Sequence, residues 1–382
     1  MSVNPVYIAR TGSFLPNAPV ANDQIEAVLG QAGERPSRSR NIILRSNKIK
    51  TRYYAIDPAT GKPNYTNAQL CAEAIRSLLG EGYSLNDIAC LAVGTSIADQ
   101  LMPGHASMVH GELGSPPCEI VSTAGVCVSG MTAFKYAWLN VAAGQSEQAV
   151  AGASEAASQT MKAENFLPEL ASKVAALESN PEIAFEKDFL RWMLSDGAGA
   201  VWLQSQKPAS PALKVEWIEM VSYANEMSTC MYAGARKEAD GRLTGWQAVD
   251  RDTCNAESFM AVKQDVKQLN EHIMPYTATR TLPGIREKYG LRPEQVDYFL
   301  PHYSSHFFRD RLDECMRQAD FAIDQSRWFT NLAEKGNTGA ASIYIMIDEL
   351  FKSGQLKPGE KLLCYVPESG RFSVAYMLLT VV

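Results

Sequence analysis

Arg292-Pro293-Glu294-Gln295-Val296-Asp297-Tyr298-Phe299-Leu300-Pro301-His302 repeats, late in the chain, the pattern of Ser84-Leu85-Asn86-Asp87-Ile88-Ala89-Cys90-Leu91-Ala92-Val93-Gly94. Each stretch reads as a helix end, a turn and a short apolar strand. A second pair follows at a similar offset. Cys127 to Ala143, Gly144-Gln145 and Gln148-Ala149-Val150-Ala151-Gly152 read as helix, turn and strand. Asn337 to Lys352, Gly354-Gln355 and Lys361-Leu362-Leu363-Cys364-Tyr365-Val366 read the same way. Helix–turn–strand units arise by chance in any α/β chain. Two pairs in the same order favour duplication. The chain therefore divides into two related α/β halves, 1–205 and 206–382.

In the first half, the helix that Cys127 opens is preceded by Val121-Ser122-Thr123-Ala124-Gly125-Val126 and continues through Val128-Ser129-Gly130. The small neighbours leave the sulfur approachable. The free N–H groups and positive end of a helix favour a thiolate. A lone cysteine is more often a small buried hydrophobe, so other segments must carry the case. By the repeat, Asn337 opens the equivalent helix of the second half. His302 ends a strand, at the edge where α/β sites gather. Cys, His and Asn from three segments form a coherent set: a thiolate for a thioester, and two N–H donors for an oxygen that becomes negative.

Between the halves' shared elements, residues 158–191 have no counterpart in the second half. Phe166, Leu167, Leu170, Val174 and Leu177 fall at helical spacing there, so a helical insert is expected. It is either a solvated excursion or a wall of the substrate pocket that favours acyl chains longer than acetyl. Tyr232 to Asp252 reads as a polar surface loop.

Bulk properties narrow the classes. The 382 residues are 46% hydrophobic and 20% charged, with a net charge of −6. No basic tract suggests nucleic acid as a partner, and no apolar run is long enough to span a bilayer. Met1-Ser2-Val3-Asn4-Pro5 shows no secretory pattern. Eight scattered cysteines without a CxxC pair fit reduced thiols in a cytoplasm, and five dispersed histidines suggest no metal site.

The motifs resemble those of β-ketoacyl-acyl-carrier-protein synthase III enzymes of the thiolase superfamily, over nearly the full length. The matching runs are Gly12-Ser13-Phe14-Leu15-Pro16, Lys48-Ile49-Lys50-Thr51-Arg52, the block around Cys127, Asp196-Gly197-Ala198-Gly199-Ala200-Val201, Pro301-His302, and Gly336-Asn337-Thr338-Gly339-Ala340-Ala341-Ser342. The resemblance implies a duplicated five-layered thiolase fold (αβαβα), a homodimer and a catalytic triad of Cys127, His302 and Asn337. The apolar strand Ala149-Val150-Ala151, which would need burial on its edge, supports the dimer. The resemblance also implies an oxyanion hole from the N–H groups of Cys127 and Gly370, acyl-carrier-protein or coenzyme A thioesters as partners, and no metal or redox cofactor. Met102, Phe166, Glu368 and Phe372 are assigned to the substrate pocket, and Arg309 and Arg311 to carrier docking.

The chain departs from the family pattern at defined places. The C-terminal glycine triplet becomes Pro367-Glu368-Ser369-Gly370-Arg371-Phe372, with only Gly370 in place. The tryptophan that stacks on the coenzyme A adenine falls near Ile42, and a neighbouring arginine near Ser46. Phe307 stands where the family docks its carrier with an arginine. These changes favour a carrier-protein donor and a secondary-metabolism relative. The expected activity is Claisen-type condensation of two acyl thioesters, decarboxylative or from a ketoacyl unit. The alternatives are acyl transfer from Cys127 to an oxygen or nitrogen nucleophile, and an inactive scaffold subunit.

Overall fold

The computed structural model describes residues 4–31, 40–165, 190–209 and 211–382. Phe166 and most of the insert, with its expected apolar stripe, lie outside the described residues. Nine strands make one sheet: β1 Tyr7–Phe14, β2 Cys90–Thr95, β3 Glu119–Ala124, β4 Gln148–Glu155, β5 Gly197–Gln204, β6 Leu213–Ser222, β7 Tyr298–Pro301, β8 Lys361–Glu368 and β9 Ser373–Val381. Their spatial order is β7-β8-β9-β6-β1-β5-β4-β2-β3.

The seam lies between β1 and β6, which pair only at Tyr7 with Lys214 and Ile8 with Leu213. On either side four strands follow the same order and senses. β1, β5 and β4 are antiparallel neighbours, and β2 lies parallel beside β4. β6, β9 and β8 are antiparallel neighbours, and β7 lies parallel beside β8. Outside β2 lies the parallel β3. Outside β7 a single parallel bridge, Phe299 to Trp328, holds the corresponding place.

Side-chain alternation sorts the strands' residues into layers. Leu362, Cys364 and Val366 of β8 join one core, while Leu363 and Tyr365 join another. Ala149, Ala151 and Ala153 of β4 face the first of these, and Val150 faces a third. Helices α1 Asn67–Arg76 and α2 His105–Leu113 cover the outer face of the first half. Helices α3 Val128–Ala142 and α7 Ser342–Lys352 lie between the two sets of strands. Helices α4 Val266–Met274, α5 Leu282–Tyr289 and α6 Phe308–Gln318 cover the outer face of the second half. The result is helix, strand, helix, strand, helix: the five-layered thiolase architecture.

The sequence pattern explains the middle layer. Val128, Met131, Ala133, Phe134, Ala137 and Val141 bury most of the surface of α3, and Thr132, Tyr136 and Leu139 leave one exposed stripe. Small residues let neighbours approach. A Cβ added at Gly130 would lie 2.4 Å from the Ala340 carbonyl oxygen, so only glycine fits there.

Three expectations need correction. Asn337 does not open a helix as Cys127 does. Gly336 and Gly339 adopt φ of 71° and 52°, and a short turn Gly339–Ala341 precedes α7. Ala149-Val150-Ala151 is not an edge: β4 lies between β2 and β5, and the edge of the first half is β3. The stretch from Tyr232 to Asp252 is not plain loop. It holds an antiparallel pair, Ala235–Lys237 with Leu243–Gly245, tied by Arg236 to Glu238 and Glu257.

Candidate active site

Parallel strands bring their C-terminal ends to one edge, and the site residues stand there. β3 ends at Ala124, β4 at Glu155, β7 at Pro301 and β8 at Glu368. Gly125, at φ 148°, makes the sharp exit from β3 that an L side chain would resist. Cys127 then stands immediately before α3. Ser129 pins the turn, its N–H and Oγ both donating to the Val126 carbonyl at 3.0 and 2.8 Å.

His302 follows β7 and donates its backbone N–H to Tyr365 on β8 at 2.8 Å. It is buried, and burial pushes its imidazole down to about 4. At neutral pH the ring is therefore uncharged, with one N–H to donate. Asn337 is held from both sides of its backbone, by Met193 at 2.9 Å and Ser195 at 2.8 Å. Its Oδ1 accepts the Gly339 N–H at 3.0 Å. The amide nitrogen is thus the end left to donate elsewhere. Cys127, Leu300 beside His302, Ala340 beyond Asn337 and Val366 share one apolar core. The three sequence segments thus border the same core.

The electrostatics differ from the sequence expectation. A helix start was expected to favour the Cys127 thiolate. Instead, burial pushes the thiol up, and the charges of Glu155 and Glu368 push it further. The free enzyme holds a protonated thiol.

Glu155 is a further residue of this region that the motifs do not single out. Glu155 Oε1 accepts from Ser96 N at 3.1 Å, Ser96 Oγ at 2.6 Å and Ala340 N at 3.1 Å. Burial raises it to about 7. It ties the end of β2 to the loop that presents Asn337. The sequence signal was a Glu closing an otherwise small and apolar strand. Asp196 also earns its motif here. Its carboxylate, raised to about 6 chiefly by burial, holds Ala55 N at 2.7 Å and Ser158 N at 2.8 Å.

The remaining assigned residues separate. The Gly370 N–H does not stand open: Glu368 Oε1 accepts it at 2.5 Å. Glu368 is buried, with its carboxylate bonded to Gly370 and Ser373 of its own turn. Phe372 instead packs in the core against Tyr276 and His272, at φ 60°. Met102 is 81% exposed, in a loop with the exposed Leu101. Arg309 is not free to dock a carrier. It donates to Gln325 and Tyr303 and lies over the Trp328 ring. Arg311 is exposed and stacks on Phe307 at 4.3 Å. Ile42, at the family's adenine-stacking position, is 62% exposed.

Comparison with known proteins identifies the family. Residues 286–378 match the family model of the 3-oxoacyl-[acyl-carrier-protein] synthase III C terminal, and residues 70–209 that of the beta-ketoacyl synthase N-terminal domain. The chain belongs to the synthase III-like ketosynthases of the thiolase superfamily. Among the relatives of this ketosynthase are the beta-ketoacyl-[acyl-carrier-protein] synthase III of Rhizorhabdus wittichii, 24% identical, and that of Neisseria gonorrhoeae, 25% identical. Each match spans 93% of both chains. Its fold matches AbyA1, a tetronic acid condensing enzyme, with a TM-score of 0.76 at 19% identity over 98% of this chain and 99% of that one. Xanthomonas campestris OleA bound with cerulenin matches with a TM-score of 0.71 at 19% identity over 99% and 97%.

Proposed function

We propose that this ketosynthase performs its Claisen-type condensation on Cys127, with His302 and Asn337 holding the enolate of the second substrate. In the first half-reaction the Cys127 sulfur attacks an acyl thioester. A new S–C bond forms, the donor's C–S bond breaks, and the Cys127 proton leaves with the released thiol. In the second, another acyl thioester loses its α-carboxylate as CO2, the C–C bond's electrons forming the enolate. The enolate carbon attacks the acyl-Cys127 carbonyl, the S–C bond breaks, and the expelled Cys127 sulfur takes a proton from water. What supports this reading is a buried His302, whose imidazole is pushed down to about 4 by burial, and an Asn337 whose Oδ1 is already engaged. Two uncharged N–H donors can stabilise an enolate oxygen without first having to lose a proton.

Acyl-carrier-protein or coenzyme A supplies the thioesters; the relatives' names carry the acyl-carrier protein. Ile42 lacks the aromatic face that would stack on adenine, which favours a carrier donor. Arg311, rather than Arg309, is the cation exposed for docking. A homodimer joined along β3 is part of the proposal. β3 is the edge strand, its residues are exposed or half-buried, and Tyr136, Leu139, Leu101 and Met102 are exposed apolar groups from the same half. Met102 then belongs to the subunit boundary rather than to a pocket within one chain.

Division of labour is the test. His302→Ala and Asn337→Ala should still acquire an acyl group on Cys127 but lose condensation by roughly 100- to 1000-fold. Product analysis by chromatography and mass spectrometry reads the new C–C bond. Normal condensation in either variant, or an ester or amide as the product, would overturn the reading.

A further inference from the structure

The turn after β8 carries an internal anion on one of its own donors. Glu368 Oε1 accepts the Gly370 N–H at 2.5 Å, and Oε2 accepts Ser373 Oγ at 2.7 Å and Ser373 N at 3.3 Å. Gly370 lies against the residue before the nucleophile: a Cβ placed on it would sit 3.1 Å from Val126 Cγ2. The charge of Glu368 is also felt at the Cys127 sulfur.

The backbone of this turn is anchored from outside. Cys230 N donates to the Gly370 carbonyl at 2.8 Å, Arg371 Nε to the Met227 carbonyl at 2.8 Å, and Tyr223 N to the Phe372 carbonyl at 2.8 Å. Gln264 Nε2 holds Ser369 Oγ at 3.0 Å. These bonds hold the Gly370 and Phe372 carbonyls and two side chains of the turn in place. The Glu368 side chain has rotatable bonds, and it can release the Gly370 N–H by pivoting about the Oε2 that Ser373 holds.

We propose that the Glu368 carboxylate is a latch on the Gly370 N–H, closed in the free enzyme and displaced when an acyl thioester loads on Cys127. This rests on the reading of Cys127 as nucleophile and Gly370 as oxyanion donor. A carboxylate is a stronger acceptor than a thioester carbonyl, and its charge opposes both a thiolate and a tetrahedral oxyanion beside it. Loading therefore requires the carboxylate to turn away and give the N–H to the substrate oxygen. The latch makes Glu368 a positioning residue: it acts through Gly370. It also keeps the donor occupied when no acyl group is present.

The test compares wild type, Glu368→Gln and Glu368→Ala in two rate measurements on Cys127. One is acyl loading from a hexanoyl thioester, followed by intact mass. The other is alkylation by iodoacetamide, which reads thiol reactivity without using an oxyanion donor. The latch predicts that the ratio of loading rate to alkylation rate rises at least tenfold in Glu368→Ala, with Glu368→Gln in between. An unchanged or lower ratio in variants that melt like wild type overturns the latch and leaves Glu368 as a support of the turn. Should Glu368→Ala melt early, the near-isosteric Glu368→Gln carries the same comparison. A structure of acylated wild type gives a check without mutation: Glu368 still bonded to the Gly370 N–H beside an acyl group overturns the latch. A wild type that alkylates at Cys127 but never loads overturns instead the assignment of the nucleophile's role, and the latch with it.

Discussion

Glu155 is the residue whose chemistry is most exposed to measurement. Buried carboxylates resist ionisation, and this one titrates near 7 rather than 4.5. Between those values the folded state binds more protons than the unfolded state. Its contribution to stability is therefore full below about pH 4.5 and is lost as pH rises through about 7. The span corresponds to about 3 kcal/mol. His302 runs the other way: its contribution is present above about 6.5 and is lost as pH falls through about 4. A difference measurement separates them. Thermal melting of Glu155→Gln against wild type should show the variant gaining, relative to wild type, by up to about 3 kcal/mol between pH 5 and pH 8. A gap that does not change with pH would show that Glu155 is not held neutral. Much of the residue-level site was legible, because Cys127, His302 and Asn337 sit in motifs of distinct chemistry. The state of Cys127 was not. Its helix start was visible in the sequence, but the two carboxylates beside it come from strands ending at Glu155 and Glu368, a juxtaposition that only the fold creates.

At the scale of elements, the contact between α3 and the Asn337 loop decides the spacing of the site. Gly130 lets α3 approach the Ala340 carbonyl, with no room for a methyl group at the present separation. Gly130→Ala should cost about 1–3 kcal/mol of stability, in the range of overpacked cores. It should also lower condensation more than acyl loading, because it pushes on the loop carrying Asn337 and leaves the Cys127 turn in place. Calorimetry and the two half-reaction assays check this, and equal losses in both half-reactions would contradict it. The repeated helix–turn–strand units were readable from apolar runs and turn residues. The loop before α7 was not, because the Gly336 and Gly339 backbone geometry and the Oδ1 cap of Asn337 interrupt a pattern that otherwise looks like continuous helix. The pairing Ala235–Lys237 with Leu243–Gly245 was hidden for a related reason. Its strands are short and polar and are held by Arg236 ion pairs rather than by an apolar face.

For the whole molecule, the strand orders β1-β5-β4-β2 and β6-β9-β8-β7 express the duplication read from the sequence. The seam between β1 and β6 could not be read there, because it depends on two residue pairs at the strands' ends. Nor could the free edge. β4 looked like an edge candidate from its small apolar residues, yet small residues on both faces are also what a strand buried between two helix layers needs. With β3 as the edge, light scattering should give twice the 41.9 kDa chain mass, and Ile120→Lys on that strand should shift the species toward monomer. A wild-type monomer would contradict the proposed dimer. The central claim is that the molecule works by carrying an acyl group on Cys127. Intact-protein mass spectrometry after incubation with acyl-carrier and coenzyme A thioesters tests it most directly. The account predicts one acyl group per chain, mapped to the Cys127 peptide and absent from Cys127→Ala. An unacylated wild type with every thioester offered, or an adduct that persists in Cys127→Ala, would contradict it.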